Sequence, residues 1–146
     1  MIALLQRVSA AKVEIAGDCV GEISAGLLVL IGVQKDDAEV QLRRLLQRIL
    51  AYRVFADSRG RMNLSLADTG GGLLLVPQFT LAADTRRGNR PGFSSAAAPE
   101  AAQALFEQLV EAAAQQHPLV ASGRFGADMQ VSLTNDGPVT FWLEAH

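Results

Sequence analysis

The chain has 146 residues, 49% of them hydrophobic and 19% charged, with a formal net charge of −2. That balance is enough for one domain with a real core, and it excludes a disordered chain and a general nucleic-acid binder. The longest apolar run falls well short of the ~20 residues of a membrane span. The single cysteine, Cys19, allows neither an internal disulfide nor a Cys-x-x-Cys metal set. The opening residues lack the basic-then-apolar layout of a signal peptide, so the cytoplasm is the expected compartment.

In chain order, residues 2–8 and 11–16 are predicted strands, and "VEIAGDCVGEI" predicts a hairpin around Gly17-Asp18. "GLLVLIGV" (26–33) is apolar throughout, as a strand buried on both faces would be. Asp36 and Asp37 offer an N-cap for a helix whose apolar stripe is Leu42, Leu45, Leu46, Ile49 and Leu50. "DSRGRMNLS" reads as turn or loop, "GGGLLLVPQF" as a glycine-led strand, and residues 82–98 as loop. Pro99 suits a helix start, Ala102, Leu105, Phe106, Leu109, Val110 and Ala113 supply its stripe, and Pro118 stops it. Two closing strands are expected near 119–134 and 138–144, with a hairpin turn at Asn135-Asp136-Gly137 between them. Pro138 then stands where a ladder would need an N–H. The pattern implies a single domain over 1–146. Its class is α+β, with two main helices flanking a mostly antiparallel, barrel-like sheet.

Side-chain catalysts are scarce. His117 falls at a helix C-terminus, where the dipole favours a cation, and His146 is the last residue. No His pair has metal-ligand spacing, and no cofactor motif is present. Gly70-Gly71-Gly72 precedes a strand rather than a helix, so it reads as a turn and not a phosphate loop. Three stretches carry possible chemistry. "VPQFTL" (76–81) ends a buried strand with alternating polar groups. "DTRRGNRPGF" (84–93) sets Arg86, Arg87 and Arg90 among glycines, as a solvated loop or a phosphate-contacting one. Gly137-Pro138 is either a plain turn or a presented piece of backbone.

"LLQRV", "GLLVLIGV", "YRVF", "MNLSL", "GGLLLV", "PQFTLAADTRRGNRPGF" and "GRFGADMQVSLTNDGPVTF" together resemble the bacterial D-aminoacyl-tRNA deacylase family, in order and at its spacing. The resemblance implies a homodimer that hydrolyses the ester between a D-amino acid and the 3′-terminal adenosine of tRNA, with glycine on tRNA also a substrate. It implies that Gly137-Pro138 is a cis element inserted into the partner's active site and supported by Arg7. Gln78, Phe79 and Thr80 match the catalytic strand motif, and Phe125 and Met129 match a segment near the pocket. Arg86, Arg87 and Arg90 become candidates for the tRNA phosphates. No metal, DNA or membrane is implied. The sequence departs from the family motif at Pro77, where Ser is usual. The alternative is therefore a catalytically impaired or chirality-relaxed tRNA-binding relative.

Overall fold

The two strand runs expected at the start are one long strand, β1 (Ile2–Ile15), in a computed structural model that describes residues 1–146. A tight turn through Ala16 and Gly17, both at positive φ, leads into β2 (Asp18–Ile23). β3 (Gly26–Gly32) runs back antiparallel to the first half of β1, and β2 pairs its second half. Both must share one edge of β1, because β8 (Gln130–Glu144) pairs the other edge from Ile2 to Glu14.

After β3 come α1 (Glu39–Ala51), the small β4 (Phe55–Ala56) and β5 (Met62–Leu64) ladder, and one turn of helix, α2 (Leu66–Thr69). β6 (Gly72–Pro77) lies parallel to β3. It ends in a 3₁₀ turn (Phe79–Ala82) and a long loop to α3 (Pro99–Gln116). β7 (Val120–Ser122) follows, parallel to β6. The sheet curls until β7 approaches β2. A Cβ added to Gly21 would lie 2.9 Å from the Ser122 carbonyl, so only glycine permits this near-closure.

The sheet is thus mixed rather than mostly antiparallel. Its one long edge-to-edge surprise, the parallel β3–β6–β7 segment, requires crossovers, and α1 and α3 supply them. The expected class, α+β with two main flanking helices, otherwise matches.

The alternation of β3 explains its unbroken apolar sequence. Leu27, Val29 and Ile31 join Leu73 and Leu75 against α1 and α3, in a core that includes Leu45, Ile49, Phe106 and Leu109. Leu28 points the other way, with Val8, Val13, Leu74 and Val76, into the second, barrel-side cluster. Each such fully buried aliphatic contributes roughly 1.5–3 kcal/mol. No helix is long and apolar enough to cross a membrane.

Two local expectations change. Asp37 does not cap α1. Its carboxylate accepts from the Met1 amino group (2.6 Å) and from Gln34 N (2.6 Å), while Gln41 Oε1 accepts from Ala38 N (3.0 Å) at the helix start. The hairpin at Asn135-Asp136-Gly137 is absent, because β8 keeps one direction along β1 throughout. Thr140 pairs Gln6 and Asn135 pairs Val8, so residues 136–139 bulge out opposite Arg7 alone.

Candidate active site

β6 delivers its last residues to one end of the barrel. Leu73 N donates to Leu119 O (2.8 Å) on the β7 side, so by alternation the amide of residue 77 would face that side too. β7 ends at Ser122, and Gly123 N turns back to Leu75 O (2.9 Å). A proline at 77 therefore costs the ladder nothing, and its ring packs beside Gly123, 3.4 Å from where a Cβ there would sit. Gln78 N still bonds Ile31 O (2.7 Å), so the strand end is held.

The chain then tightens into the 3₁₀ turn over β3. Gly32 makes room for it, since a Cβ there would lie 2.9 Å from Leu81 Cβ. Leu81 N donates to Gln78 O (3.2 Å). The two preceding amides, of Phe79 and Thr80, come too early in the turn to have a partner within it. Gln78 Nε2 donates to the Thr80 hydroxyl oxygen at 2.5 Å, which orients both side chains.

Gln78 and Phe79 share a pocket of about 280 Å³ with Val76, Pro77, Phe125, Gly126, Ala127, Met129 and Val131. The sequence-predicted Phe125 and Met129 thus come together with Gln78 and Phe79. Thr80 contributes through its bond to Gln78 rather than as a wall. The walls are mainly apolar, and their polar groups are backbone and one amide side chain. Neither histidine is near. His117 is buried, with Nε2 2.6 Å from Gly71 O, so it ties the end of α3 to the start of β6 rather than lying exposed. His146 lies 3.7 Å from Glu144 at the chain end.

Gly137 and Pro138 do not line this pocket. They are exposed at the crest of the β8 bulge, and the peptide between them is cis. Gly137 has φ +154°, and a Cβ on it would fall 2.6 Å from Val139 Cγ2, so no other residue fits. Arg7 holds the bulge from below. Its Nε donates to Asp136 O (2.8 Å), and a second guanidinium nitrogen donates to Val54 O (2.6 Å), at the start of the β4–β5 hairpin. Asn135 is a further support that sequence reasoning passed over as turn chemistry. Its Oδ1 accepts from Val139 N (2.7 Å), and its Nδ2 donates to Val139 O and the Thr140 hydroxyl, both at 3.1 Å. The available signal was an Asn placed to bond its own backbone around a Gly-Pro.

The arginine loop is closed at its base by Asp84 N to Gly92 O (2.7 Å) and Gly92 N to Asp84 O (3.0 Å). The three arginines are not equivalent. Arg86 is bound through two nitrogens to Asp84, at 2.8 and 2.7 Å. The guanidinium, helped by the Arg86 amide, holds the Asp84 carboxyl well below the usual carboxylate range. Arg87 and Arg90 are exposed and form no salt bridge. Phe93 closes the loop with 41% exposure, against Phe79 at 55%, their ring centroids 5.1 Å apart.

A family model described as D-Tyr-tRNA(Tyr) deacylase matches residues 4–144. A protein named D-aminoacyl-tRNA deacylase in Thioalkalivibrio sulfidiphilus is 65% identical over 99% of this chain and 97% of its own length. One of the same name in Alkalilimnicola ehrlichii is 63% identical at the same coverages. A solved structure described as "c-Myc DNA Unwinding Element Binding Protein" superposes with TM-score 0.96 at 36% identity, over 100% of this chain and 99% of that one. Another, described as "Structural Analysis of a probable eukaryotic D-amino acid tRNA deacylase", covers 98% of both chains with TM-score 0.79. At 19% identity it speaks to the fold alone.

Proposed function

Because this chain belongs to the D-Tyr-tRNA(Tyr) deacylase family, we propose that it hydrolyses the ester joining a D-amino acid, or glycine, to the 3′ end of tRNA. The observation that carries this reading is the 65% identity, over nearly the full length of both chains, with a relative bearing the D-aminoacyl-tRNA deacylase name. The geometry of the pocket supports a mechanism for it.

Ester hydrolysis needs a water to attack the carbonyl carbon and donors for the oxyanion that forms. The amides of Phe79 and Thr80, free of partners within the 3₁₀ turn, are such donors. They sit on a turn fixed by Gln78 N to Ile31 O and by the packing over Gly32, so little reorganisation is required. No side chain in the pocket is a ready general base. The 2′-hydroxyl of the terminal ribose then relays the proton: it accepts one from the attacking water as it passes its own to the departing 3′-oxygen, so the C–O3′ bond breaks to give the free 3′-hydroxyl and the carboxylic acid. Gln78 orients the ester through its amide, and Thr80 holds Gln78.

Chirality is assigned to Gly137-Pro138 of a second copy. Its exposed crest lies outside its own chain's pocket and is braced by Arg7 and Asn135, as a part made to act on a partner would be. Backbone carbonyls can hold the substrate α-ammonium and leave no room for an L side chain. Glycine, with no side chain to clash, is accepted on the same logic. The active species is accordingly a homodimer, working in the cytoplasm without a cofactor. Arg87 and Arg90, with Arg86 in reserve, take acceptor-end phosphates.

The alternative of an impaired or chirality-relaxed binder rests on Pro77. The lost N–H deprives no ladder carbonyl of a donor, so the alternative comes down to the lost serine hydroxyl, which matters only if that hydroxyl is the nucleophile. DNA binding, suggested by the words describing the 36%-identical structure, would have to rest on the one small arginine cluster of residues 86–90 in a chain of net charge −2, too few cations for a duplex-binding surface. A deacylation time course with D-Tyr-tRNA, L-Tyr-tRNA and Gly-tRNA tests the proposal. Loss of the D-Tyr and Gly esters with the L-Tyr ester intact is expected. Stable D-Tyr-tRNA refutes the activity, and equal loss of L-Tyr-tRNA refutes only the stereospecificity.

A further inference from the structure

Adjoining exposed apolar side chains at the rim of a pocket mark a binding surface more often than single ones do. Phe79 and Phe93 are such a pair. Phe79 forms part of the pocket wall, while Phe93 does not line it and packs on the outer side of Phe79, the rings tilted 45°. Phe93 is fixed in place: the loop before it is closed by the two Asp84–Gly92 bonds, and its own carbonyl accepts from Ala96 N (3.1 Å). The same closed loop carries Arg87 and Arg90, exposed and without salt bridges. An exposed ring flanked by unpaired guanidinium groups is the chemistry by which proteins hold single-stranded nucleic acid, the ring taking a base face and the cations the backbone.

Resting on the proposed deacylase reading, we infer that Phe93 stacks the nucleobase one step 5′ of the nucleoside that carries the ester. The ester must reach the amides of Phe79 and Thr80, so the terminal nucleoside occupies the pocket that Phe79 walls. The preceding nucleotide then leaves over Phe79 toward Phe93, and its phosphate passes the Arg87–Arg90 side. Phe93 is thus a substrate-binding residue for the strand rather than for the amino acid. It gives the enzyme a grip that is indifferent to which D-amino acid is attached.

The test compares kcat/KM on two substrates, D-Tyr-tRNA and 2′(3′)-O-D-tyrosyl-adenosine, which lacks every upstream nucleotide. Phe93→Leu keeps apolar bulk against Phe79 and removes the ring, and Phe93→Tyr keeps the ring. Phe93→Leu is expected to lose at least about fivefold more on the tRNA than on the adenosine ester, mainly in KM, by the usual contribution of one base–aromatic stack. Phe93→Tyr is expected to restore the tRNA value. An equal loss on both substrates, or no loss on either, overturns the inference while wild-type hydrolysis of both leaves the deacylase reading standing. Wild-type protein that hydrolyses neither substrate overturns both.

Discussion

Two side chains near the pocket and its distant partner element carry opposite expectations. Thr80 offers its oxygen to Gln78 at 2.5 Å and no base stands behind it, so its hydroxyl is a positioning group. Thr80→Ala should lower the single-turnover deacylation rate by no more than roughly tenfold, because removing one neutral hydrogen bond costs about 1 kcal/mol. Complete loss would instead mark the hydroxyl as a nucleophile or base. Arg7 has more at stake. Its side chain, 17% exposed, gives charged hydrogen bonds to Asp136 O and Val54 O, each worth roughly 1.5–3 kcal/mol. Lysine carries one nitrogen and cannot reach both carbonyls at once. Arg7→Lys should therefore loosen the Gly137-Pro138 crest and raise hydrolysis of L-Tyr-tRNA relative to D-Tyr-tRNA, with only a few degrees lost in thermal melting. An unchanged ratio between the two substrates would separate Arg7 from chiral selection.

At the scale of elements, the 3₁₀ turn and the arginine loop are set by neighbours far away in sequence. Gly32→Ala inserts a Cβ 2.9 Å from Leu81 Cβ, so the turn must shift by tenths of an ångström. kcat should fall roughly tenfold, since reacting groups are sensitive to displacement on that scale. KM and the unfolding curve should move much less. In the loop, Asp84 sequesters Arg86 and leaves two free arginines. The binding of deacylated tRNA should then fall with salt at a log–log slope of roughly −1.4, and Asp84→Asn, by releasing Arg86, should steepen it to roughly −2.1, at ~0.7 per single-strand phosphate contact. The sign of the pH dependence follows from the lowered carboxyl. The pair is intact above the ordinary carboxylate range and is lost only as pH falls through the depressed value, so the wild-type slope should be the same at pH 5 and pH 8. A slope that steepened at pH 5 would mean that the pair had already opened. These elements also mark where sequence reading succeeds. The helices over Leu42–Leu50 and Ala102–Ala113 and the two-faced strand 26–33 were legible because their apolar period is local. The bulge at 136–139 was not. Asn-Asp-Gly has the chemistry of a turn, and only pairing with both halves of β1 keeps β8 running straight past it. For the same reason the Asp84–Arg86 pair and the Phe79–Phe93 contact were invisible, although each of those residues stood in one of the two stretches singled out, 76–81 and 84–93.

For the whole molecule, the separation of parts becomes testable. One chain brings Gln78, Phe79, Phe125 and Met129 to a single pocket that Gly137-Pro138 does not line. If the crest of one subunit completes the pocket of the other, each site of a two-fold dimer draws on both chains. A Gly137→Ala chain cannot close its crest, because its Cβ would meet Val139, but its own pocket is intact. A Gln78→Ala chain is the reverse. Each homodimer should be inactive. After dissociation and reassociation of an equal mixture, about half the dimers are mixed, and each mixed dimer holds one site with both lesions and one with neither, so activity should return to about a quarter of wild type by symmetry alone. If Gly137-Pro138 served its own chain, every site in the mixture would carry a lesion and no activity would return. The result therefore separates a shared site from a private one without reference to affinity. It also bears on why the chain keeps so exposed a crest under the double brace of Arg7 and Asn135: a crest that serves a neighbour must be held in shape before the neighbour arrives.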